Sequence, residues 1–292
     1  MDPMTPPKVL TARSVEEAVS LLSEYGEKAK FVSGATDLLM QLKRGEAVPE
    51  CLIRLGEIRD LDFIKYDETG GLRVGALTTI VEIANSPLIR GKFSILAQAA
   101  GMLGTPAVRN QATLGGNLCN AAPSADTAPP FLVLGAKAKI VGKEGEKIVS
   151  LEDFFVGPGQ TILGQDRLLA EIQVPNILAH SGGAYLKQKR RQGADLAVVG
   201  VAAWVVMGRE VLNDVKIALG AVAPTPIRAK KAEEILRGRK VDPELLEKSG
   251  QAAAGEASPI DDIRGSADYR RELLAVLTKR AITEAIQQAE GR

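Results

Sequence analysis

Two short segments rich in small residues could bind an anion through the protein backbone. Residues 32–37 read VSGATD, and residues 113–117 read TLGGN. Small side chains allow several backbone N–H groups to converge on one phosphate. The first segment stands between a predicted strand and a predicted helix, whose positive end also favours an anion. Either segment alone is more often a tight turn, but together they predict phosphate-binding loops, and neither fits the Rossmann or P-loop pattern.

Composition excludes several other kinds of chemistry. The 292 residues are 45% hydrophobic, and the net charge of +1 leaves no positive field for nucleic acid or an anionic membrane. One histidine and two cysteines, read as free thiols, cannot supply the four thiolates of an iron-sulphur cluster, and no metal site is predicted. Redox chemistry must therefore be carried by a bound group. No window resembles a membrane span or a secretory signal, so we expect a cytoplasmic protein.

The elements that position the two segments follow from changes in hydrophobic period. Up to about residue 56 the pattern predicts a β-α-β-α-β unit, with helices at 14–25 and 37–44. After a strand near residue 72 and helices starting at Thr79 and Ser94, a Gly/Asn/Pro-rich connection runs from 104 to 130. This connection is long for one inside a compact domain, which indicates a functional loop. The pattern then predicts a hairpin over 137–149 and a strand over 167–174.

A second domain is predicted beyond the Pro/Asn/Gly-rich residues 175–183. Its elements are three antiparallel strands followed by three helices, at residues 184–189, 196–207, 211–222, 228–236, 243–250 and 267–289. The predicted fold class is α+β. We place a two-part first domain at 1–178, with subdomains of about 1–56 and 57–178, and a smaller second domain at 179–292.

Longer motifs in the same order and spacing resemble one protein family. They are residues 31–43 (FVSGATDLLMQLK), 113–126 (TLGGNLCNAAPSAD), 185–203 (YLKQKRRQGADLAVVGVAA) and 220–226 (GAVAPTP). Over nearly the whole chain the sequence resembles the FAD-binding medium subunit of the molybdenum hydroxylases, which include xanthine dehydrogenases and aerobic carbon monoxide dehydrogenases. The resemblance implies the two-part FAD-binding domain of those flavoproteins, and FAD as the cofactor.

The resemblance also implies which residues bind FAD. Both glycine-rich loops wrap the pyrophosphate in that family, Asp126 would bind the nucleotide end, and Lys187 and Leu196 would reach the flavin. The full implied set is Val32, Ser33, Gly34, Ala35, Thr36, Asp37, Leu103, Thr113, Gly116, Asn117, Asn120, Asp126, Leu169, Lys187 and Leu196. No catalytic acid or base is implied. The basic pair Arg190 and Arg191 is left out, because such a pair at a strand end is more often solvated or ion-paired.

Two positions carry an additional expectation. Asp126 also stands where the N-cap of the helix containing Pro129 and Pro130 is expected, and both roles are compatible. The family often has a second glycine where this chain has Ala35, whose methyl disfavours a left-handed backbone. We therefore expect some reshaping of the first loop at Ala35.

The function implied by the resemblance is electron transfer. FAD would take electrons from an iron-sulphur small subunit and pass them to NAD, oxygen or a quinone, while a molybdenum-cofactor large subunit oxidises the organic substrate. The chain would then belong to a hetero-oligomer, with a dimer of heterotrimers as one arrangement open to it. Two alternatives stay open: a stand-alone FAD-dependent reductase of the same superfamily, and a scaffold subunit without cofactor.

Overall fold

Residues 8–54 form the predicted β-α-β-α-β unit in the computed structural model, which describes residues 6–164, 166–191 and 193–291. Its elements are β1 (Lys8–Thr11), α1 (Val15–Tyr25), β2 (Ala29–Val32), α2 (Leu38–Arg44) and β3 (Cys51–Arg54). The three strands are parallel in the order β1-β3-β2, so β3 is central, and Cys51 and Ile53 are fully buried. Helix α1 begins at the N-cap Ser14 and packs Ala18, Val19 and Leu22 into the core.

The second part is built around an antiparallel sheet in the order β4-β5-β10-β6-β7. Its elements are β4 (Ile64–Asp67), β5 (Gly71–Gly75), α3 (Ile80–Asn85), α4 (Pro87–Lys92), α5 (Ser94–Met102), α6 (Pro106–Gln111), α7 (Leu114–Cys119), α8 (Ala128–Val133), β6 (Lys137–Gly142), β7 (Gly145–Ser150), β8 (Phe155–Gly157), β9 (Gln160–Thr161) and β10 (Arg167–Val174). The stretch 104–130, expected to be a long loop, contains the short helices α6 and α7 and the start of α8. Thr105 and Thr113 cap the first two of these helices.

The third part is a four-stranded antiparallel sheet covered by helices. Its elements are β11 (Ser181–Gln188), β12 (Val199–Met207), β13 (Leu212–Gly220), β14 (Ile227–Arg228), α9 (Lys230–Leu236), α10 (Pro243–Glu256) and α11 (Ala267–Glu290). The three predicted strands are present, and the two-residue β14 pairs with β13 where the sequence pattern predicts the start of a helix.

Strand β12 is buried on both faces and joins the third part to the second. Val201, Ala203 and Val205 face a core made with α10 and α11, whereas Ala202 and Trp204 belong to the core of the second part. The sheet is therefore held between its own helices and helices α5 and α8. Within the described ranges, none of the helices combines the length and the apolar character needed to cross a membrane.

Candidate functional site

A cleft of about 1230 Å³ lies where the three parts meet. A dinucleotide is larger than most small ligands, and this volume exceeds the range of about 300–1,000 Å³ typical of small-molecule pockets. The predicted site residues that line it are Ser33, Gly34, Ala35, Thr36, Asp37, Leu103, Thr113, Gly116, Asn117, Asn120, Asp126, Leu169 and Leu196. The structure thus brings together residues separated by up to 163 positions in the chain (196 − 33).

The first glycine-rich loop has unused backbone donors. Among the described residues, no hydrogen bond is formed by the backbone N–H groups of Gly34, Ala35 or Thr36. Ala35 adopts the left-handed conformation, with φ of +58°, so its methyl group does not prevent this turn. The conformation costs a non-glycine residue about 1–2 kcal/mol. Asp37 is the N-cap residue of α2, and partial desolvation in the cleft raises the pKa of its carboxyl. The loop therefore keeps several N–H groups available for an anion.

The two glycine-rich loops are packed against each other. A Cβ on Gly34 would collide with the carbonyl oxygen of Gln111, so only glycine permits this approach. The Thr113 hydroxyl donates to Ser33 Oγ at 3.0 Å and accepts the Gly116 N–H at 3.1 Å. Because Ser33 Oγ accepts here, its own proton remains available as a donor toward the cleft.

The second loop uses most of its backbone N–H groups for folding, contrary to the expectation that both loops present converging donors. The N–H groups of Leu114 and Gly115 donate to the carbonyls of Thr78 and Ala76 at 2.9 and 2.8 Å. The side-chain amide of Asn117 remains, because the Thr127 hydroxyl donates to its Oδ1 at 2.6 Å and leaves the NH2 group free to donate. This loop can thus contribute side-chain donors, and the first loop backbone donors.

Asp126 is buried and held by two donors from β11. The Tyr185 hydroxyl donates to Oδ1 at 2.8 Å, and Lys187 Nζ donates to Oδ2 at 2.7 Å. Burial raises the pKa of Asp126, and the Lys187 charge offsets part of this rise. The expected N-cap role of Asp126 is wrong. Thr127 is the N-cap residue of α8 and its side chain makes no cap hydrogen bond. The Asp126 carboxylate instead accepts the two hydrogen bonds from β11.

Two predicted residues do not line the cleft. Val32 ends β2 behind the first loop, and the Lys187 ammonium is 1% exposed and directed to Asp126 and to the carbonyl of Met102. Leu103 and Leu169 are buried in the cleft wall, and Leu196 is 49% exposed at its border.

Sequence reasoning missed several residues of the cleft. Cys119 lies in the lining, and burial raises the pKa of its thiol to about 12. Gln41 is also in the lining and donates to Asn120 Oδ1 at 3.4 Å. Arg191 borders the cleft while pairing with Asp195 at 3.8 Å. Its place in the same motif as Leu196 was the signal that could have identified it.

Comparisons with known proteins show which families the chain resembles. The family described as the FAD binding domain in molybdopterin dehydrogenase matches residues 5–177, and the CO dehydrogenase flavoprotein C-terminal domain matches residues 184–285. The chain is 31% identical over 282 residues to the xanthine dehydrogenase FAD-binding subunit of Escherichia coli O157:H7, covering 96% of each chain. It is 33% identical over 273 residues to the carbon monoxide dehydrogenase medium chain of Hydrogenophaga pseudoflava, covering 94% of each.

Solved structures show the same architecture. A carbon monoxide dehydrogenase chain from Hydrogenophaga pseudoflava superposes with a TM-score of 0.95 at 32% identity, over 98% of this chain and 99% of that one. A chain of quinoline 2-oxidoreductase from Pseudomonas putida 86 gives a TM-score of 0.91 at 29% identity, over 98% and 99%.

The fold and the matched families define a two-domain flavoprotein subunit of an oxidoreductase. The chain belongs to the FAD-binding medium subunits of the xanthine and carbon monoxide dehydrogenase type of molybdenum hydroxylase, and its cofactor is FAD. The cleft fits that cofactor, because a dinucleotide needs a long site with anion donors in its middle. The free N–H groups of the loop at 34–36 are such donors.

Proposed function

We propose that this chain is the electron-transfer subunit of a molybdenum-containing hydroxylase complex. It takes electrons from an iron-sulphur subunit and passes them to an external acceptor, NAD, oxygen or a quinone, while the organic substrate is oxidised on a molybdenum subunit. The names of the relatives support the assignment, since they are medium chains and FAD-binding subunits of larger dehydrogenases. One histidine and two cysteines leave the chain without the thiolates for an iron-sulphur centre of its own.

The observation that carries this proposal is the cleft with its free donors. The backbone N–H groups of Gly34, Ala35 and Thr36 would bind the FAD pyrophosphate, together with the Ser33 hydroxyl and the Asn117 amide. No basic side chain is required, because aligned N–H dipoles stabilise a dianion in a partly buried site. Asp126 would accept a hydrogen bond from the nucleotide, since each carboxylate oxygen has more than one acceptor site and only one donor from β11.

FAD supplies the electron-transfer chemistry when bound, so this chain needs no general acid or base. Its residues bind and orient the cofactor. The buried Leu103 and Leu169 exclude water from the cleft wall, and Leu196 on the third part would border the flavin ring. Because Leu196 is half exposed, that border is open to an acceptor or to a partner subunit.

We further propose that the boundary between the FAD-binding domain and the carboxy-terminal domain lies at residues 178–179. Strand β10 ends at Val174 and strand β11 begins at Ser181, and the two family matches end at 177 and begin at 184. The complex is a hetero-oligomer, with a dimer of heterotrimers as one arrangement, and we place it in the cytoplasm.

The test is anaerobic reduction of the flavin. The full chain is isolated with its FAD, and the flavin absorbance is followed after adding dithionite or the organic substrate identified in the native complex. We expect dithionite to bleach the flavin, and the substrate to do so only after the iron-sulphur and molybdenum subunits are added back. Reduction by substrate in the lone chain at the rate of the complex would favour the stand-alone reductase, and a chain without flavin would favour the scaffold.

A variant without flavin completes this experiment. In Gly116→Val the added Cβ would lie 3.0 Å from both Ser33 Oγ and Thr113 Oγ1, where the two loops meet. We expect this change to displace FAD while the core stays folded, and to abolish acceptor reduction in the reassembled complex. Gly91→Val in α4 is the matched control, because a Cβ there meets nothing within 4 Å and the residue is outside the cleft.

A further inference from the structure

Tyr185 carries a buried hydroxyl group and is not among the site residues predicted from the sequence. It lies on β11 in the third part, is 1% exposed, and donates to Asp126 Oδ1 at 2.8 Å. Asp126 lies in the second part, 59 residues earlier in the chain. The hydrogen bond therefore joins the carboxy-terminal sheet to the loop that lines the FAD cleft.

The position of the Tyr185 ring is fixed from several sides. Its backbone N–H donates to Gln98 Oε1 on α5 at 2.9 Å. Gly200 on the neighbouring β12 makes room for the hydroxyl, because a Cβ at Gly200 would lie 2.8 Å from the phenolic oxygen. Burial and the nearby carboxylate raise the pKa of Tyr185 well above its ordinary value, so the hydroxyl stays protonated and acts as a donor. The sequence thus builds a fixed donor for Asp126.

Lys187 completes the arrangement from the same strand. Alternation along β11 places Tyr185 and Lys187 on one face, two residues apart. The Lys187 ammonium is 2.7 Å from Asp126 Oδ2 and 3.3 Å from the carbonyl of Met102, which precedes the cleft residue Leu103. The Lys187 charge is therefore paired with Asp126 and does not line the cleft, whereas Asp126 does.

We infer that Tyr185 is a positioning residue for FAD: with Lys187 it fixes the Asp126 carboxylate, so that binding of the dinucleotide depends on the carboxy-terminal sheet. The inference rests on the proposed binding of FAD in the cleft. Each Asp126 oxygen receives one donor from β11 and keeps a further acceptor site, and Asp126 lines the cleft. A carboxylate held by two fixed donors loses little conformational entropy when a ligand hydroxyl binds it.

The test is a mutant cycle on FAD affinity. The full chain is stripped of flavin and titrated with FAD by fluorescence, and dissociation is followed after dilution. Tyr185→Phe removes one oxygen, and we expect the FAD Kd to rise roughly fivefold to tenfold, mainly through faster dissociation. Tyr66→Phe is the matched control, since Tyr66 packs beside Phe93 outside the cleft.

The second arm of the cycle separates positioning from general stability. In the Asp126→Ala, Lys187→Met background the carboxylate is gone and no unpaired buried charge remains. There Tyr185→Phe should change the FAD Kd by less than about twofold, because a residue that acts through Asp126 has nothing left to position. Equal fold-changes in the two backgrounds would overturn the inference, as would an unchanged Kd in Tyr185→Phe alone.

A second variant displaces the hydroxyl without removing it. Gly200→Ala adds a methyl next to the phenolic oxygen and should weaken FAD binding in the same direction. An unchanged FAD affinity in a folded Gly200→Ala chain would contradict the inference. If the wild-type chain binds no FAD at all, the proposed function fails. If the wild type binds FAD and the cycle shows no coupling, the role of Tyr185 alone fails.

Discussion

Ala35 holds a backbone conformation that usually requires glycine, at the turn where FAD is proposed to bind. Its φ is +58°, and the loop leads directly into α2. We expect Ala35→Gly to relieve about 1–2 kcal/mol of local strain and to lose about 0.5–1 kcal/mol through greater freedom of the unfolded chain. The free energy of unfolding should therefore rise by up to about 1.5 kcal/mol in urea titrations, with FAD affinity kept.

Ala47→Gly is the control for this prediction. Ala47 is in a loop outside the cleft and is not among the positive-φ residues, so glycine relieves no strain and only increases the freedom of the unfolded chain. It should lower the free energy of unfolding. A loss of stability in Ala35→Gly equal to that in Ala47→Gly would show that Ala35 is not strained.

At this scale the sequence predicted the type of chemistry better than the individual contacts. Small residues in 32–37 indicated free backbone donors, and Gly34, Ala35 and Thr36 have them. The N–H groups of Leu114 and Gly115 are instead bonded to the carbonyls of Thr78 and Ala76, more than thirty positions away. Local sequence holds no information about such partners, and the same is true of the bond from Tyr185 to Asp126.

Helix α10 shows how one glycine sets the distance between two elements. The pattern predicted that this helix ends at Gly250, but it continues to Glu256. A Cβ on Gly250 would collide with the carbonyl oxygen of Ala275 in α11, so the glycine permits close helix packing and does not end the helix. We expect Gly250→Ala to lower the free energy of unfolding by about 1–3 kcal/mol, as overpacking does.

Gly255 in the same helix is the matched control. A Cβ there meets nothing within 4 Å. Gly255→Ala should raise the free energy of unfolding by up to about 1 kcal/mol, because alanine has the higher helix propensity. Urea titrations of both variants give the comparison, and a neutral Gly250→Ala would mean that the two helices separate without cost.

A segment at residues 257–266, here called the strap, connects α10 to α11, and the Asp262 carboxylate is one of the groups that hold it in place. Burial opposes ionisation of Asp262, but hydrogen bonds from the Arg264 N–H and the Arg270 guanidinium outweigh it, and the pKa of Asp262 falls to about 2. An unfolded aspartate titrates near pH 3.9. Its contribution to stability is thus complete above about pH 4 and is lost as the pH falls through about 2.

This linkage predicts a specific acid sensitivity. Urea midpoints measured from pH 4.5 to 2.5 should fall less steeply in Asp262→Asn than in the wild type, because the variant lacks the ionised group whose stabilisation is being lost. Asp268→Asn removes an exposed carboxylate from the first turn of α11. It is the control for the loss of one titratable carboxyl group as such. If the urea midpoint of Asp262→Asn falls with pH as steeply as that of the wild type, the Asp262 carboxylate is not the cause of the acid sensitivity.

Long periodic elements were predictable, whereas several short ones were not. Helix α11 and the hairpin of β6 and β7 have enough positions to show a period. Helices α6 and α7 have six residues each and β14 has two, so tertiary contacts decide them. The capping box of Thr79 and Glu82 is an exception, because its signal depends on two residue types at a fixed spacing.

At the scale of the whole molecule, the cleft belongs to none of the three parts alone. The loop after β2, the helices α6 and α7, and the segment before β12 each contribute one wall. A ligand that contacts all three walls stabilises their arrangement by mass action, by about 2.7 kcal/mol at a free concentration one hundred times its Kd. FMN lacks the adenylate and can contact only part of this surface.

FAD should therefore raise the melting temperature of the flavin-free chain more than FMN does. At 100 times the FAD Kd we expect a rise of about 4–5 °C with FAD, and a clearly smaller one with FMN or with ADP at the same concentration. Differential scanning calorimetry measures the three shifts, with Gly116→Val as the variant that should respond to none of them. Equal shifts for FMN and FAD would mean that only the flavin half contacts the protein, and the role of the loop at 34–36 as a pyrophosphate site would then be wrong.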